Sequence, residues 1–187
     1  TRLGTIRGLK IMQYIYKYSS PLGGITAASN GTALTGLWFD GQKYFAGNLS
    51  AEHEERDLPV FQKTKLWLEL YFSKKVPDFT PPLSTAASPF RLRVWKILRS
   101  IPYGQTSTYG DIARQLAEET GKRVSAQAVG GAVGHNFISI IIPCHRVVGS
   151  GGSLTGYAGG LDKKIELLRL EGVNVSKLTI PKKGTAL

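Results

Sequence analysis

The chain has 187 residues, of which 42% are hydrophobic and 20% are charged. This composition is typical of a globular protein with one or two domains, and it excludes a disordered or collagen-like chain. The longest apolar run, Ile140–Ile142, is far too short to cross a membrane, and we see no apolar signal segment. The single cysteine excludes an intrachain disulfide and a cysteine-cluster zinc site, so we expect a reducing, cytoplasmic location.

Basic residues outnumber acidic ones by 24 to 13, and the net charge is +11. Most of the excess lies in the second half, where residues 86–187 hold 14 basic and 6 acidic side chains. A basic region of this kind favours an anionic partner such as nucleic acid. The alternative is a charge that only keeps the protein dissolved, and the charge alone does not decide between the two.

The first half of the chain has the pattern of a small antiparallel sheet with one helix. Residues 1–11 precede the only methionine, and we interpret them as an upstream extension or an expression remnant. Aromatic residues alternate over 12–19, which predicts a strand, and Asn30-Gly31 between two apolar runs predicts a hairpin. Residues 58–72 follow helical spacing.

A segment rich in proline separates two regions of different pattern. Four prolines among Ser and Thr over residues 77–89 are typical of a stiff connection. We therefore predict a first domain over residues 12–76, a linker over 77–87, a second domain over 88–174 and a tail over 175–187.

The second domain begins with the pattern of three helices. Ser88-Pro89 supplies a cap and a first-turn proline, a second helix begins after Ser107 or Thr108, and Ser125 caps a short helix over residues 126–133. Two short helices separated by about a turn predict a helix-turn-helix motif.

The remainder of the domain has the pattern of a wing and a closing helix. Strands are predicted over residues 139–142, 147–148 and 153–157, with a glycine-rich loop after the second. A final helix is predicted over 162–171, and Gly172 ends it.

The densest chemistry in the sequence lies where an apolar run leads into Pro143-Cys144-His145-Arg146. Thiolate is the reactive form of cysteine, and basic or cationic neighbours lower the thiol pKa. Adjacency in sequence does not place His145 within hydrogen-bonding distance of Cys144. The alternative is an inert buried cysteine beside a surface His-Arg pair.

Two glycine-containing segments are candidates for ligand contact. The short helix over residues 125–134 is built mostly from Ala, Val and Gly, with Gln127 as its one sizeable polar side chain. Small residues permit close packing on another backbone, or close approach to the minor groove of DNA with little sequence preference. In Gly156-Tyr157-Ala158-Gly159-Gly160 the ring of Tyr157 is suited to forming the wall of a flat pocket. An ordinary hinge is the alternative.

At these residues the chain resembles the O6-alkylguanine-DNA alkyltransferases, also called methylated-DNA–protein-cysteine methyltransferases. The resemblance is dense from about Ser88 to Gly172 and looser over residues 12–75. It rests on Ser88-Pro89-Phe90, Val94-Trp95, Ile101-Pro102-Tyr103-Gly104, Thr108-Tyr109, Ala128-Val129-Gly130, Pro143-Cys144-His145-Arg146-Val147, Gly156-Tyr157, Leu167-Leu168 and Glu171-Gly172. It implies an α+β, two-domain fold, with an N-terminal ribonuclease-H-like α/β domain and a mostly helical winged-helix domain.

The resemblance also implies direct, single-turnover repair of O6-alkylguanine and O4-alkylthymine in DNA. The damaged base is flipped into a pocket, and Cys144 takes the alkyl group as a stable thioether. His145 acts as the base through a water, and Glu171 orients His145. Tyr109 donates a proton to the leaving guanine and crowds the target phosphate, and Asn136 braces the turn that carries the cysteine.

The remaining implied contacts are with the flipped base and with double-stranded DNA. Val147, Tyr157, Ala158 and Gly159 surround the base. DNA is contacted along the minor groove, with little sequence preference, by Ala126, Gln127, Ala128, Gly130, Gly131 and Arg146. The resemblance implies a monomer without cofactor or membrane partner, and cooperative assembly on DNA is a further hypothesis.

The chain departs from the family pattern at a few positions. Gln127 stands where many members have the arginine that fills the gap left by the flipped base. Phe137 replaces a proline, and Ala158 replaces a serine found in some members. Some members hold a structural zinc through cysteine and histidine, and we expect none here because Cys144 is needed for chemistry.

Three other functions remain as hypotheses. A non-catalytic lesion-binding protein of the same fold usually lacks the cysteine that this chain retains. A cysteine hydrolase would release product over many turnovers. A generic winged-helix regulator explains the charge but not the Pro-Cys-His-Arg run.

Overall fold

The computed structural model describes residues 11–181, so most of the predicted N-terminal extension and the last six residues lie outside it. Eleven helices and strands follow in chain order: β1 (Gln13–Ser20), β2 (Gly23–Ser29), β3 (Leu34–Phe39), β4 (His53–Glu55), α1 (Pro59–Phe72), α2 (Pro89–Ser100), β5 (Ser107–Thr108), α3 (Tyr109–Thr120), α4 (Ala126–Gly134), β6 (Val147–Val148) and α5 (Leu161–Leu170). Short 3₁₀ helices cover Cys144–Arg146, Ser150–Gly152 and Val175–Lys177.

The N-terminal half is a four-stranded sheet in the order β3-β2-β1-β4, with α1 against it. Both predicted hairpin partners pair antiparallel, whereas β4, which the pattern did not predict, pairs parallel to β1. The Asn30 side chain stabilises the turn because its oxygen accepts hydrogen bonds from the backbone N–H groups of Thr32 and Ala33. The apolar face of α1 packs on the sheet and ends at the buried Tyr71.

The predicted helix caps of the C-terminal half are confirmed. Ser88 accepts from the N–H of Arg91 at the start of α2, and Ser125 accepts from the N–H of Ala128 at the start of α4. Thr108 forms a capping box with Asp111 at the start of α3. Helix α3 contacts α4 across a short turn, as the helix-turn-helix pattern predicts.

Two of the predicted strands are wrong. Residues 139–142 form turns, in which Ile140 has a φ of +69°. The run is apolar because it is buried between the two halves of the protein, and a short apolar run does not distinguish a strand from any other buried segment. Residues 153–157 form no strand: Ser153 bridges to Thr179 instead, and β6 pairs parallel with β5.

One hydrophobic core joins the two halves, extending from β2 and β3 through α1 to α2, α3 and α4. Leu37 of β3 donates to the carbonyl of Phe137 at 2.8 Å and accepts from the N–H of Ser139 at 2.9 Å. The proline-rich segment also lies against β3, where Leu34 donates to the carbonyl of Pro82. The segment that leads to Cys144 is therefore fixed by the N-terminal sheet. Over residues 11–181, no helix combines the length and apolar character that crossing a membrane requires.

Candidate active site

Cys144 begins a single 3₁₀ turn at the point where the buried segment 138–143 ends. The residue is 6% exposed, and its backbone N–H donates to the carbonyl of Ile142 at 2.8 Å. Pro143 precedes it and has no N–H of its own to satisfy. The thiol is therefore almost completely buried, on a backbone that a hydrogen bond holds in place.

Asn136 braces this turn from the end of α4. Its amide nitrogen lies 3.1 Å from the carbonyl oxygen of Ile138, 2.8 Å from that of Ile142 and 3.2 Å from the sulfur of Cys144. Its amide oxygen accepts from the N–H of Ile138 at 3.0 Å. The structure thus places Asn136 against the turn that carries Cys144.

His145 lies next to Glu171 inside the protein. The Nε2 atom of His145 is 2.7 Å from Oε1 of Glu171, and both side chains are completely buried. The predicted pair is therefore close enough to hydrogen-bond, although the two residues are 26 positions apart. A carboxylate can only accept, so Nε2 carries the ring proton and Nδ1 is the basic nitrogen. Nδ1 is buried and has no hydrogen-bond partner among the described residues.

Arg146 occupies the interior of the site. Its guanidinium donates to both oxygens of Glu171, through Nε at 2.8 Å and Nη2 at 2.9 Å, and to the carbonyl of Ile101 at 2.7 Å. Only 11% of the side chain is exposed. We therefore assign Arg146 to the support of Glu171, which corrects its predicted contact with DNA.

Three residues of the site were missed by the sequence analysis. The hydroxyl of Tyr71 donates to Oε1 of Glu171 at 2.7 Å, and the N–H of Gly104 donates to Oε2 at 3.0 Å. Gly104 has a φ of +76°, and a Cβ there would lie 2.9 Å from a backbone oxygen, so only glycine fits. Lys164, fully buried, donates to the carbonyls of Val147 and Thr155.

Gly104 lies in a motif on which the resemblance rests, and Lys164 carried a signal of its own in the sequence. It shares one helical face with Leu167, Leu168 and Glu171, which places a charge on a buried face. The hydroxyl of Tyr71 reaches a residue 100 positions away, and no pattern in the sequence indicates that contact.

A small cavity adjoins the thiol. It measures about 10 Å³ and is lined by Val133, Gly134, Asn136, Ser139, Cys144, Gly156, Tyr157 and Ala158. This is about the space of one water molecule. The predicted pocket residues Tyr157 and Ala158 are therefore at the cysteine, whereas Val147 and Gly159 do not line the cavity. A Cβ at Gly159 would lie 2.8 Å from the Tyr157 ring, so glycine permits that ring to pack here.

The exposed face of α4 adjoins a groove. Ala126, Gln127, Ala128 and Gly131 are exposed, whereas Gly130 is buried. A Cβ at Gly131 would meet nothing within 4 Å, so packing within the protein does not require glycine there. A groove of about 250 Å³ lies beside the start of α4, lined by Tyr109, Gly110, Ala126, Gln127, Gly149, Ser150 and Thr155.

The protonation states follow from burial and hydrogen bonding. Burial raises the pKa of the Cys144 thiol, although the Asn136 hydrogen bond and the Lys164 charge act in the opposite direction. Burial lowers the pKa of His145, and Glu171 opposes that shift. Burial would raise the pKa of Glu171, but the hydrogen bonds from His145 and Arg146 outweigh it and lower the pKa from 4.5 to about 2. At neutral pH the site holds a thiol, a neutral imidazole and a carboxylate.

The site therefore brings together a thiol, an imidazole and a carboxylate that is hydrogen-bonded to the imidazole. Burial raises the pKa of Tyr109, which keeps its hydroxyl protonated as a donor. Over residues 11–181, no group of three His, Cys, Asp or Glu side chains is arranged to hold a metal ion.

Two family models match the chain. They are "6-O-methylguanine DNA methyltransferase, ribonuclease-like domain" over residues 13–85 and "6-O-methylguanine DNA methyltransferase, DNA binding domain" over residues 89–173. A methylated-DNA–protein-cysteine methyltransferase of Haemophilus influenzae is 43% identical over 163 residues, covering 87% of this chain and 87% of the relative.

Two solved structures are also similar to this chain. OGT of Mycobacterium tuberculosis, solved in complex with DNA, superposes with a TM-score of 0.73 at 39% identity, covering 88% of this chain and 94% of that one. An O6-methylguanine DNA methyltransferase of Methanococcus jannaschii superposes with a TM-score of 0.58 at 28% identity, covering 92% of this chain and 99% of that one.

The fold and the site define a two-domain α+β protein in which a buried cysteine lies beside a histidine–glutamate pair. The chain belongs to the 6-O-methylguanine DNA methyltransferase family. The predicted family and the predicted fold class are thereby confirmed.

Proposed function

We propose that this chain repairs DNA by taking the alkyl group from O6-alkylguanine onto Cys144. Family membership supports the proposal, since curated relatives are named methylated-DNA–protein-cysteine methyltransferases. The observation that carries it is the position of Cys144 in a small cavity, with a neutral His145 next to it in the chain and Glu171 hydrogen-bonded behind that histidine.

The residues of the site suit an in-line displacement. The thiol proton passes through a water to Nδ1 of His145, and Glu171 stabilises the imidazolium that forms. The thiolate attacks the alkyl carbon, so that the S–C bond forms as the C–O bond breaks and guanine leaves with the electron pair. Tyr109 donates its hydroxyl proton to the guanine ring and later regains a proton from solvent. The thioether on Cys144 is stable, and each molecule therefore reacts once.

The base is proposed to enter from the face of α4. Exposed small residues on this helix permit close approach to a minor groove, and Gln127 extends beside the groove that contains Tyr109. Since the cavity at Cys144 holds about one water, segment 156–160 must move outward to admit a flipped purine. Tyr157 then forms the wall, and the backbone of Ala158 contacts the guanine oxygen.

Methyl transfer from a duplex with a single O6-methylguanine tests the proposal. After digestion, the peptide that contains Cys144 is expected to carry one added methyl group, located by fragmentation of that peptide. A methyl group on any other residue, or on none, would contradict the assignment of Cys144 as the acceptor.

A further inference from the structure

We propose that Tyr71 of the N-terminal half is a positioning residue for alkyl transfer, because its hydroxyl holds the Glu171 carboxylate and competes with His145 for one carboxylate oxygen. This inference rests on the proposed function, since it assigns a role in the same reaction. Tyr71 would act through Glu171 and His145, without contact with the substrate.

The hydroxyl of Tyr71 has a fixed position. Tyr71 lies in the last turn of α1 and is completely buried. Its ring stacks on Trp67, with centroids 5.3 Å apart and planes 10° apart. The hydroxyl donates to Oε1 of Glu171 at 2.7 Å, and its oxygen lies 3.4 Å from Nε2 of His145. Packing therefore leaves the hydroxyl no route to solvent.

Oxygen Oε1 of Glu171 is crowded with donors. It accepts from Tyr71, from Nε2 of His145 at 2.7 Å and from Nη2 of Arg146 at 2.9 Å. A carboxylate oxygen has two lone pairs, so three donors must share them. The Tyr71 hydroxyl thus weakens the support that Glu171 gives to a protonated His145. Removing the hydroxyl strengthens that support and makes His145 more basic.

The contact gives the N-terminal half a part in the chemistry. The other donors to Glu171 lie within residues 89–173, the span of the DNA-binding family model. Tyr71 lies within residues 13–85, the span of the ribonuclease-like model. Helix α1 thereby fixes the orientation of the histidine base from across the interface between the two halves.

All other charged and titratable groups around His145 stay in place when the hydroxyl is removed. Among the described residues they are Cys144, Arg146 and Glu171, the phenols of Tyr103 and Tyr157, and Lys164 from α5. A change in the pKa of His145 in such a variant therefore reports on the Tyr71 hydroxyl.

The test compares Tyr71→Phe with Tyr103→Phe. Tyr103 is the matched control because its ring packs edge-on against Tyr71, with centroids 6.1 Å apart, and its hydroxyl donates to the carbonyl of Leu170 instead of the carboxylate. The pKa and tautomer of His145 are measured by nitrogen-15 NMR on histidine-labelled protein. Single-turnover methyl transfer is measured across pH in parallel.

We expect Tyr71→Phe to raise the pKa of His145 by about 0.5 pH unit. The acid limb of the profile of transfer rate against pH should move to higher pH by the same amount. Tyr103→Phe is expected to move neither. An unchanged or lowered pKa of His145 in folded Tyr71→Phe protein would overturn the inference.

Two further measurements cover a variant that does not fold and a protein that transfers no methyl group. If Tyr71→Phe does not fold, a tyrosine fluorinated beside its hydroxyl is placed at position 71. This stronger donor is expected to lower the pKa of His145, and no change would overturn the inference. If the wild-type protein transfers no methyl group, the proposed function fails, while the NMR titration still decides whether Tyr71 is coupled to His145.

Discussion

The side-chain amide of Asn136 donates a hydrogen bond of 3.2 Å to the sulfur of Cys144. The same NH2 group also lies within hydrogen-bonding distance of the carbonyls of Ile138 and Ile142, so its two hydrogens are shared among three acceptors. One side chain therefore fixes the turn and partly offsets the rise that burial causes in the pKa of Cys144. Burial still dominates, so the pKa of the Cys144 thiol stays above its ordinary value and the thiol is neutral at neutral pH.

Asn136→Ala is expected to reduce both stability and reaction rate. It leaves the buried N–H of Ile138 without its acceptor, and it takes one donor from the carbonyls of Ile138 and Ile142, each of which keeps a backbone donor. The expected cost is about 1–3 kcal/mol of unfolding free energy. It also removes a donor to the developing thiolate, so single-turnover transfer should slow. Urea unfolding and rapid-quench transfer measure the two effects. Asn174→Ala is the control, because Asn174 caps an exposed 3₁₀ turn and its loss should cost about 1 kcal/mol or less. Equal losses in both variants would show that the bracing contact contributes little.

Glu171→Gln is expected to destabilise the protein in a pH-dependent way. The pKa of Glu171 is lowered from 4.5 to about 2, so its ionised form stabilises the folded state above pH 4.5, and this contribution is lost as pH falls toward 2. At neutral pH the difference from wild type should be about 3 kcal/mol. It should shrink progressively below pH 4.5 in urea unfolding measured across pH.

The control for that series is Glu166→Gln on the exposed side of α5. Glu166 pairs with Arg169 at the surface, and such pairs contribute about 0–1 kcal/mol. A Glu171→Gln difference that stays constant from neutral pH to pH 3 would argue against a stabilising Glu171 carboxylate.

The contribution of Lys164 to the free energy of unfolding is expected to rise at alkaline pH. Burial lowers the pKa of Lys164 from 10.5 to about 8. Between these values the unfolded chain binds a proton that the folded protein does not, so the free energy of unfolding increases with pH. Relative to Lys164→Met, wild-type stability should gain about 2 kcal/mol between pH 8 and pH 9.5. Both proteins are compared in a Cys144→Ala background, which removes the thiol titration. A flat or falling difference would mean that folding does not lower the pKa of Lys164.

Gln127→Arg is expected to tighten DNA binding and to steepen its salt dependence. Gln127 is exposed at the start of α4 and lines the groove beside Tyr109. One added phosphate contact should change the slope of log affinity against log salt by about −0.9. Fluorescence anisotropy at several salt concentrations measures the slope. Gln115→Arg adds the same charge on α3 away from that groove, and it should leave the slope unchanged. Identical slopes for both variants would place Gln127 outside the DNA interface.

Local signals in the sequence predicted most of the fold. The caps at Ser88, Thr108 and Ser125 and the turn at Asn30 lie in the structure where the pattern indicated, because each depends on neighbours within a few residues. The strand predicted over residues 139–142 was wrong because its burial comes from contact with β3, more than 100 positions earlier.

The parts of the site that are close together in the sequence could be predicted, and the contacts between distant residues could not. The Pro-Cys-His-Arg run singled out Cys144 and His145, and the resemblance pointed to Asn136 and Glu171, which the structure places next to them. The resemblance did not reveal that Arg146 faces inward or that Tyr71 and Gly104 donate to Glu171. Those contacts depend on the packing of α1 and α5 across the core, and no periodicity in the sequence reports such packing.

The most direct test of the account is intact-protein mass spectrometry after mixing with a duplex that contains one O6-methylguanine. The wild-type protein should gain a single methyl group, in an amount limited by the protein when DNA is in excess. Cys144→Ala should bind the duplex and gain nothing. Continued release of repaired DNA without a mass change, or tight lesion binding with no transfer, would contradict single-turnover repair by Cys144.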